Sequence, residues 1–228
     1  MTFLVRQPAE RLVLAGIAAI LLILGLPQAT ESALRLAGGL DEDPPASLTD
    51  RVRPALARQT AQLERLDEEF GDPQARIRAG ILRLRLAVQP DGTLDADSVG
   101  PAAGDLRQGL ARAPANALAW MVLAYAELAL GDAGLARKAL SLSLSAAPHD
   151  PAVTLSRCQV GLVLWPSLAE EERKRVASQI SQAWILQPDA VLELARGGYR
   201  ALISDALTTD PERQAAYEKA LTSASPAK

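Results

Sequence analysis

Apolar positions follow two patterns along this chain. Leu12 to Leu26 read LVLAGIAAILLILGL, an uncharged run. Beyond about residue 54, apolar residues recur at helical spacing almost to the end. The stretch between, AGGLDEDPPASLTD at 37–50, is rich in Gly, Pro and acid and reads as a linker. The organisation expected is an N-terminal membrane anchor over 1–30, a linker over 31–53 and a helical-repeat domain over 54–228.

As a helix, the apolar run rises about 22 Å, short of a hydrocarbon core of about 30 Å. Pro27 to Ala29 and a snorkelling Arg11 extend the usable span. A cleaved signal peptide and a buried soluble helix are the competing readings. Cleavage after Ala29 would put Pro27 where a small residue is wanted, which favours an uncleaved anchor. Arg6 and Arg11 on the short N-terminal side favour a cytoplasmic N-terminus. The rest of the chain would then lie across a bacterial inner membrane, in the periplasm. High Ala and Arg usage is a compositional hint of that source.

In the repeat domain, Leu56, Leu63, Leu66 and Phe70 share a stripe on a helix expected to open at Pro54 and stop at Gly71. Asp72-Pro73, Asp150-Pro151 and Asp210-Pro211 each pair an N-cap with a proline at the first helical position. After Pro73, Ile77, Ile81, Leu84 and Val88 define a buried face. Arg76, Arg78, Arg83 and Arg85 lie off it, as a solvated face or one turned to an acidic partner or lipid headgroups. Ser167 and Glu170 read as a capping box. Residues 189–207 and 211–222 read as a last helical hairpin.

The most informative stretch is 117–150, 34 residues forming two helices around a Gly131-Asp132 turn. It resembles a tetratricopeptide repeat. Trp120, Leu123 and Ala124 stand at the family's positions four, seven and eight. Ala136, Leu140, Ser143 and Pro148 stand at twenty, twenty-four, twenty-seven and thirty-two. Ala124 for Gly at eight, Glu127 for an aromatic at eleven and Ser143 for Ala depart from the pattern as small-residue or surface changes. Degenerate neighbours share the phase: Ala102, Leu106, Gly109 and Pro114 upstream, and Val176, Ile180, Ala183 and Pro188 downstream. The fold class expected is therefore all-α, a TPR-like solenoid of antiparallel helix pairs behind a single transmembrane helix.

The resemblance implies a concave groove lined by the first helix of each pair. Its partner-binding residues would be Leu118, Met121, Tyr125 and Leu128 from one repeat, with Ala152, Leu155, Gln159 and Leu162 from the next. That lining is apolar and suits an amphipathic helix or extended peptide, unless the chain fills the groove itself.

Composition narrows the chemistry. With 24 Lys+Arg against 27 Asp+Glu, the net charge of −3 disfavours a nucleic-acid partner. Half the chain (49 %) is apolar, which argues against wholesale disorder. The single cysteine, Cys158, cannot form an internal disulfide and reads as a buried thiol at a small register position. The single histidine, His149, lies in an inter-repeat turn. DGTLDAD at 91–97 lacks the spacing of a calcium loop. No phosphate loop or nucleophile elbow is present, so no enzyme activity, catalytic residue, metal, cofactor or small-molecule substrate is expected.

The function expected is a membrane-anchored scaffold or assembly factor binding other proteins of a bacterial envelope pathway. The layout resembles anchored TPR accessory proteins of exopolysaccharide synthesis or export, carried by the run RVASQISQAWILQPDAVLELARGG. It also resembles client-binding factors of c-type cytochrome maturation. A structural subunit of an inner-membrane complex is the third reading.

Overall fold

Asp72 accepts from the Gln74 amide at 2.8 Å, with Pro73 at the first helical position. Asp150 repeats the device toward Ala152 at 3.0 Å. Each cap satisfies an amide that the helix itself leaves unpaired, worth about 1 kcal/mol. Asp210 accepts from the Arg213 amide at 3.1 Å.

The computed structural model describes residues 46–89 and 94–223. Among them the regular structure is helical, with no strand and one isolated bridge between Val88 and Leu94. The helices are α1 (Ala46–Phe70), α2 (Pro73–Ala87), α3 (Ala96–Arg112), α4 (Ala117–Ala129) and α5 (Ala133–Ala146). They continue as α6 (Pro151–Leu164), α7 (Glu170–Leu186), α8 (Pro188–Leu194), α9 (Arg200–Ala206) and α10 (Pro211–Ser223). The described chain is all-α, as the periodicity predicts. The apolar run 12–26, the expected linker up to residue 45, residues 90–93 and those beyond 223 lie outside the described residues. No helix among the described residues is long and apolar enough to cross a membrane.

Three local expectations are corrected. The first helix begins at Ala46 and carries Pro54 inside it, rather than opening at Pro54. At α7, Glu172, rather than Glu170, reaches back to the Ala169 amide at 2.8 Å, while Ser167 turns its hydroxyl to the Leu164 carbonyl. The 189–207 segment is a broken helix. A π turn at Ala195–Tyr199 separates α8 from α9, and Gly198 there takes φ 106°, a conformation costly for any residue with a Cβ.

The described chain divides into two compact units. The first comprises the described residues up to Ala115 together with Tyr125–Asp132. Here α2 and α3 pack through glycines. A Cβ on Gly109 would lie 2.6 Å from Ile77 Cγ1 and 3.0 Å from the Pro73 carbonyl oxygen. A Cβ on Gly80 would lie 2.9 Å from Leu106 Cγ. Ile77, Leu84, Leu106 and Leu110 form the core of this unit. Asp95 caps α3.

The second unit comprises Asn116–Ala124 and the described residues from Ala133 onward. Gly161 lets α6 approach α7 so closely that a Cβ would lie 2.5 Å from Val176 Cγ1. Leu140, Val160, Leu162, Ile180 and Ile203 are buried here. Trp184 meets Tyr217 of α10 edge-on, with centroids 5.6 Å apart.

Candidate functional site

The residues assigned to register positions twenty, twenty-four and twenty-seven are buried. Ala102, Leu106 and Gly109 are buried in the first unit. Ala136, Leu140, Ser143, Val176, Ile180 and Ala183 are buried in the second. Small side chains at Ala102, Gly109, Ala136 and Ser143 allow close helix approach, whereas at Val176 it is Gly161 of α6 that makes the room.

The expected groove residues divide between the units. Leu118, Met121, Leu155, Gln159 and Leu162 belong to the second, and Tyr125 and Leu128 to the first. Met121, Tyr125 and Leu162 are buried, so these three offer no open surface. Leu118, Leu128, Leu155 and Gln159 are half-buried. The reason is clearest at Leu162. It lines a small space together with Cys158, Ile180, Val191, Leu194 and Ile203. The broken C-terminal helix α8–α9 thus covers this end of α6. Of the expected groove residues in the second unit, Leu118, Leu155 and Gln159 keep partial exposure.

Two departures from the repeat pattern prove to be buried polar contacts. Glu127, expected as a surface change, is only 2 % exposed. Arg107 Nε donates to its Oε1 at 2.8 Å, and Nη2 lies 2.7 Å from the same oxygen. Ser143 is fully buried and donates to the Ala117 carbonyl at 2.8 Å. It also accepts from Arg157 Nε at 3.1 Å.

Arg157 itself passed unmarked in the sequence reading. It stands 34 residues after Leu123, at a position where the resemblance implies a large apolar side chain. Its guanidinium is fully buried. Nη1 donates to the Ala147 carbonyl at 2.9 Å and to Gln179 Oε1 at 3.2 Å, while Nη2 donates to the Ser143 carbonyl. Those two carbonyls end α5, where the helix dipole is negative. Burial draws the Arg157 pKa down, opposed by the Asp150 charge. The signal that could have found it is a charged residue on an apolar register position.

The arginine stripe of α2 is also corrected. Arg76 and Arg83 are not a free solvated face. Arg76 Nε lies 2.9 Å from Asp67 Oδ2 and its Nη1 3.2 Å from Asp105 Oδ1, and Arg83 bridges Glu64 and Asp105. Arg78 is exposed, and burial lowers the Arg85 pKa.

Cys158 is buried, and burial pushes its thiol well above the ordinary range, which disfavours the nucleophilic thiolate. His149 is exposed in its turn. Among the described residues no group of three or more His, Cys, Asp or Glu side chains is placed to hold a metal ion.

Comparison with protein-family models, with curated proteins and with solved structures gives no match.

Proposed function

We propose that this chain is a membrane-tethered, TPR-like helical scaffold that binds other proteins of a bacterial envelope pathway, with its repeat domain in the periplasm. The observation that supports the reading is the burial of residues at the same spacing on α3 (Ala102, Leu106, Gly109), α5 (Ala136, Leu140, Ser143) and α7 (Val176, Ile180, Ala183). Repeats of this kind expose the outer and concave faces of their first helices to partners. The apolar run 12–26 supplies the tether. Export of exopolysaccharide is the pathway that the C-terminal run resembles. In the second unit, Leu118, Leu155 and Gln159 are the partner-contacting residues, and the occupant is an amphipathic helix or extended peptide.

Crosslinking mass spectrometry on intact membranes tests this. Crosslinks from α4 and α6 to another protein are expected, and Leu155→Glu should remove them while leaving the circular dichroism unchanged. A crosslink map confined to the chain itself would overturn the reading. Crosslinks to a constant stoichiometric set of membrane subunits, insensitive to Leu155→Glu, would make it a structural subunit instead.

A further inference from the structure

The attachment of α1 differs in kind from that of α2 and α3. Between 53 and 70, the only side chains α1 buries are polar, Thr60 and Asp67. Its apolar residues stay half-buried at Leu56 and Leu63, or exposed at Leu66 and Phe70 (44 % and 74 %). By contrast α2 buries Ile77, Leu82 and Leu84, and α3 buries Val99, Leu106 and Leu110.

Beside the half-buried Leu56 and Leu63, a line of charged contacts holds α1 between 53 and 70. At one end Arg53 donates to the Leu86 carbonyl at 2.7 Å and to Val88 at 3.0 Å, closing the C-terminus of α2. Mid-helix, Glu64 pairs with Arg83. At the other end Asp67 takes Arg76 at 2.9 Å and Arg112 of α3 at 2.6 Å.

We propose that α1 is a detachable strap: it docks on the α2–α3 pair through these ionic contacts and leaves as a unit while that pair stays folded. Segments with few buried apolar contacts open at lower free energy than the core they rest on. The charged groups parted by the opening hydrate readily, which limits its cost. This inference does not depend on the tether or on a binding partner.

Native-state hydrogen exchange of the full chain tests it, read by mass spectrometry across low denaturant concentrations. Peptides from 53–70 should exchange about tenfold or more faster than those of α2 and α3, in a separate opening step. Asp67→Asn should widen that gap by accelerating α1 alone. Exchange of α1 in step with α2 and α3 overturns the proposal, as does α1 protection that Asp67→Asn leaves unchanged. Should the variant fail to fold, the wild-type denaturant series alone decides between one opening step and two.

Discussion

Arg157 Nε donates to Ser143 Oγ at 3.1 Å, and neither side chain reaches solvent. The serine in turn donates to Ala117, so one hydroxyl links α4, α5 and α6 within the second unit. A helix-pair register that usually takes alanine and leucine at these two places takes serine and arginine here. The exchange is coherent because the arginine finds the C-terminal carbonyls of α5 as well. Buried polar groups are tolerated when all are paired, and costly when one is removed.

Arg157→Leu is therefore expected to destabilise the chain by about 3 kcal/mol, since it leaves the Ser143 and Ala147 carbonyls and Gln179 short of a donor. Ser143→Ala should cost about 1–2 kcal/mol. The two changes share a contact, so the double variant should cost less than their sum by about 1 kcal/mol. Denaturant unfolding of the four proteins measures this cycle. Strict additivity would mean that the observed hydrogen bond contributes nothing.

The glycines separate two kinds of close packing. A Cβ on Gly109 meets backbone as well as side chain, with the Ile77 amide nitrogen and the Pro73 carbonyl oxygen both at 3.0 Å. The three atoms nearest a Cβ on Gly161 all belong to the Val176 side chain. Both Gly→Ala variants should destabilise by about 1–3 kcal/mol. Adding Val176→Ala should recover part of the loss at Gly161. Ile77→Val should recover little at Gly109, because the backbone cannot retreat. Thermal midpoints of the two pairs of variants distinguish the cases.

Much of this architecture was readable in the sequence. Asp72-Pro73 and Asp150-Pro151 announce their helices because capping is a local contact between neighbours in sequence. The burial of Ala136, Leu140 and Ser143 is what the resemblance to the repeat implies. What escaped notice depends on partners distant along the chain. Glu127 looked like a surface residue because the pattern around it does not reveal Arg107, and Arg76 looked solvated because Asp67 and Asp105 sit on other helices. The burial of Leu162 had the same cause. It depends on Val191 and Leu194 of α8 and on Ile203, which follows a break at Gly198 that periodicity cannot locate.

Tyr217 gives a prediction in alkaline solution. Burial, reinforced by the Glu218 charge, raises its phenol pKa to about 12. An unfolded tyrosine titrates near 10. The folded state thus holds the proton more tightly, so the contribution to stability is complete below about 10 and is lost as pH rises toward 12. Tyr217→Phe retains the edge-on contact with Trp184 and removes the ionisable group. It should flatten the fall in unfolding free energy over that window and change little at neutral pH. An unaltered alkaline slope in the variant would assign the fall to other groups.

The Arg107–Glu127 pair tests whether an ion pair or an apolar contact suits its position better. Glu127 is almost wholly buried, whereas 47 % of the Arg107 side chain is exposed. Taking away the arginine leaves a desolvated carboxylate without its partner, so Arg107→Met should cost about 3 kcal/mol. Glu127→Leu removes the buried charge itself and leaves only an arginine that can turn to water, so its cost should be smaller. The double variant should approach wild-type stability within about 1 kcal/mol, because the repeat pattern itself favours a large apolar residue at this register. Unfolding free energies of the single and double variants decide it. A double variant no more stable than Arg107→Met alone would show that the pair itself, and not merely relief of an uncompensated charge, holds α3 to the second half of α4 in the first unit.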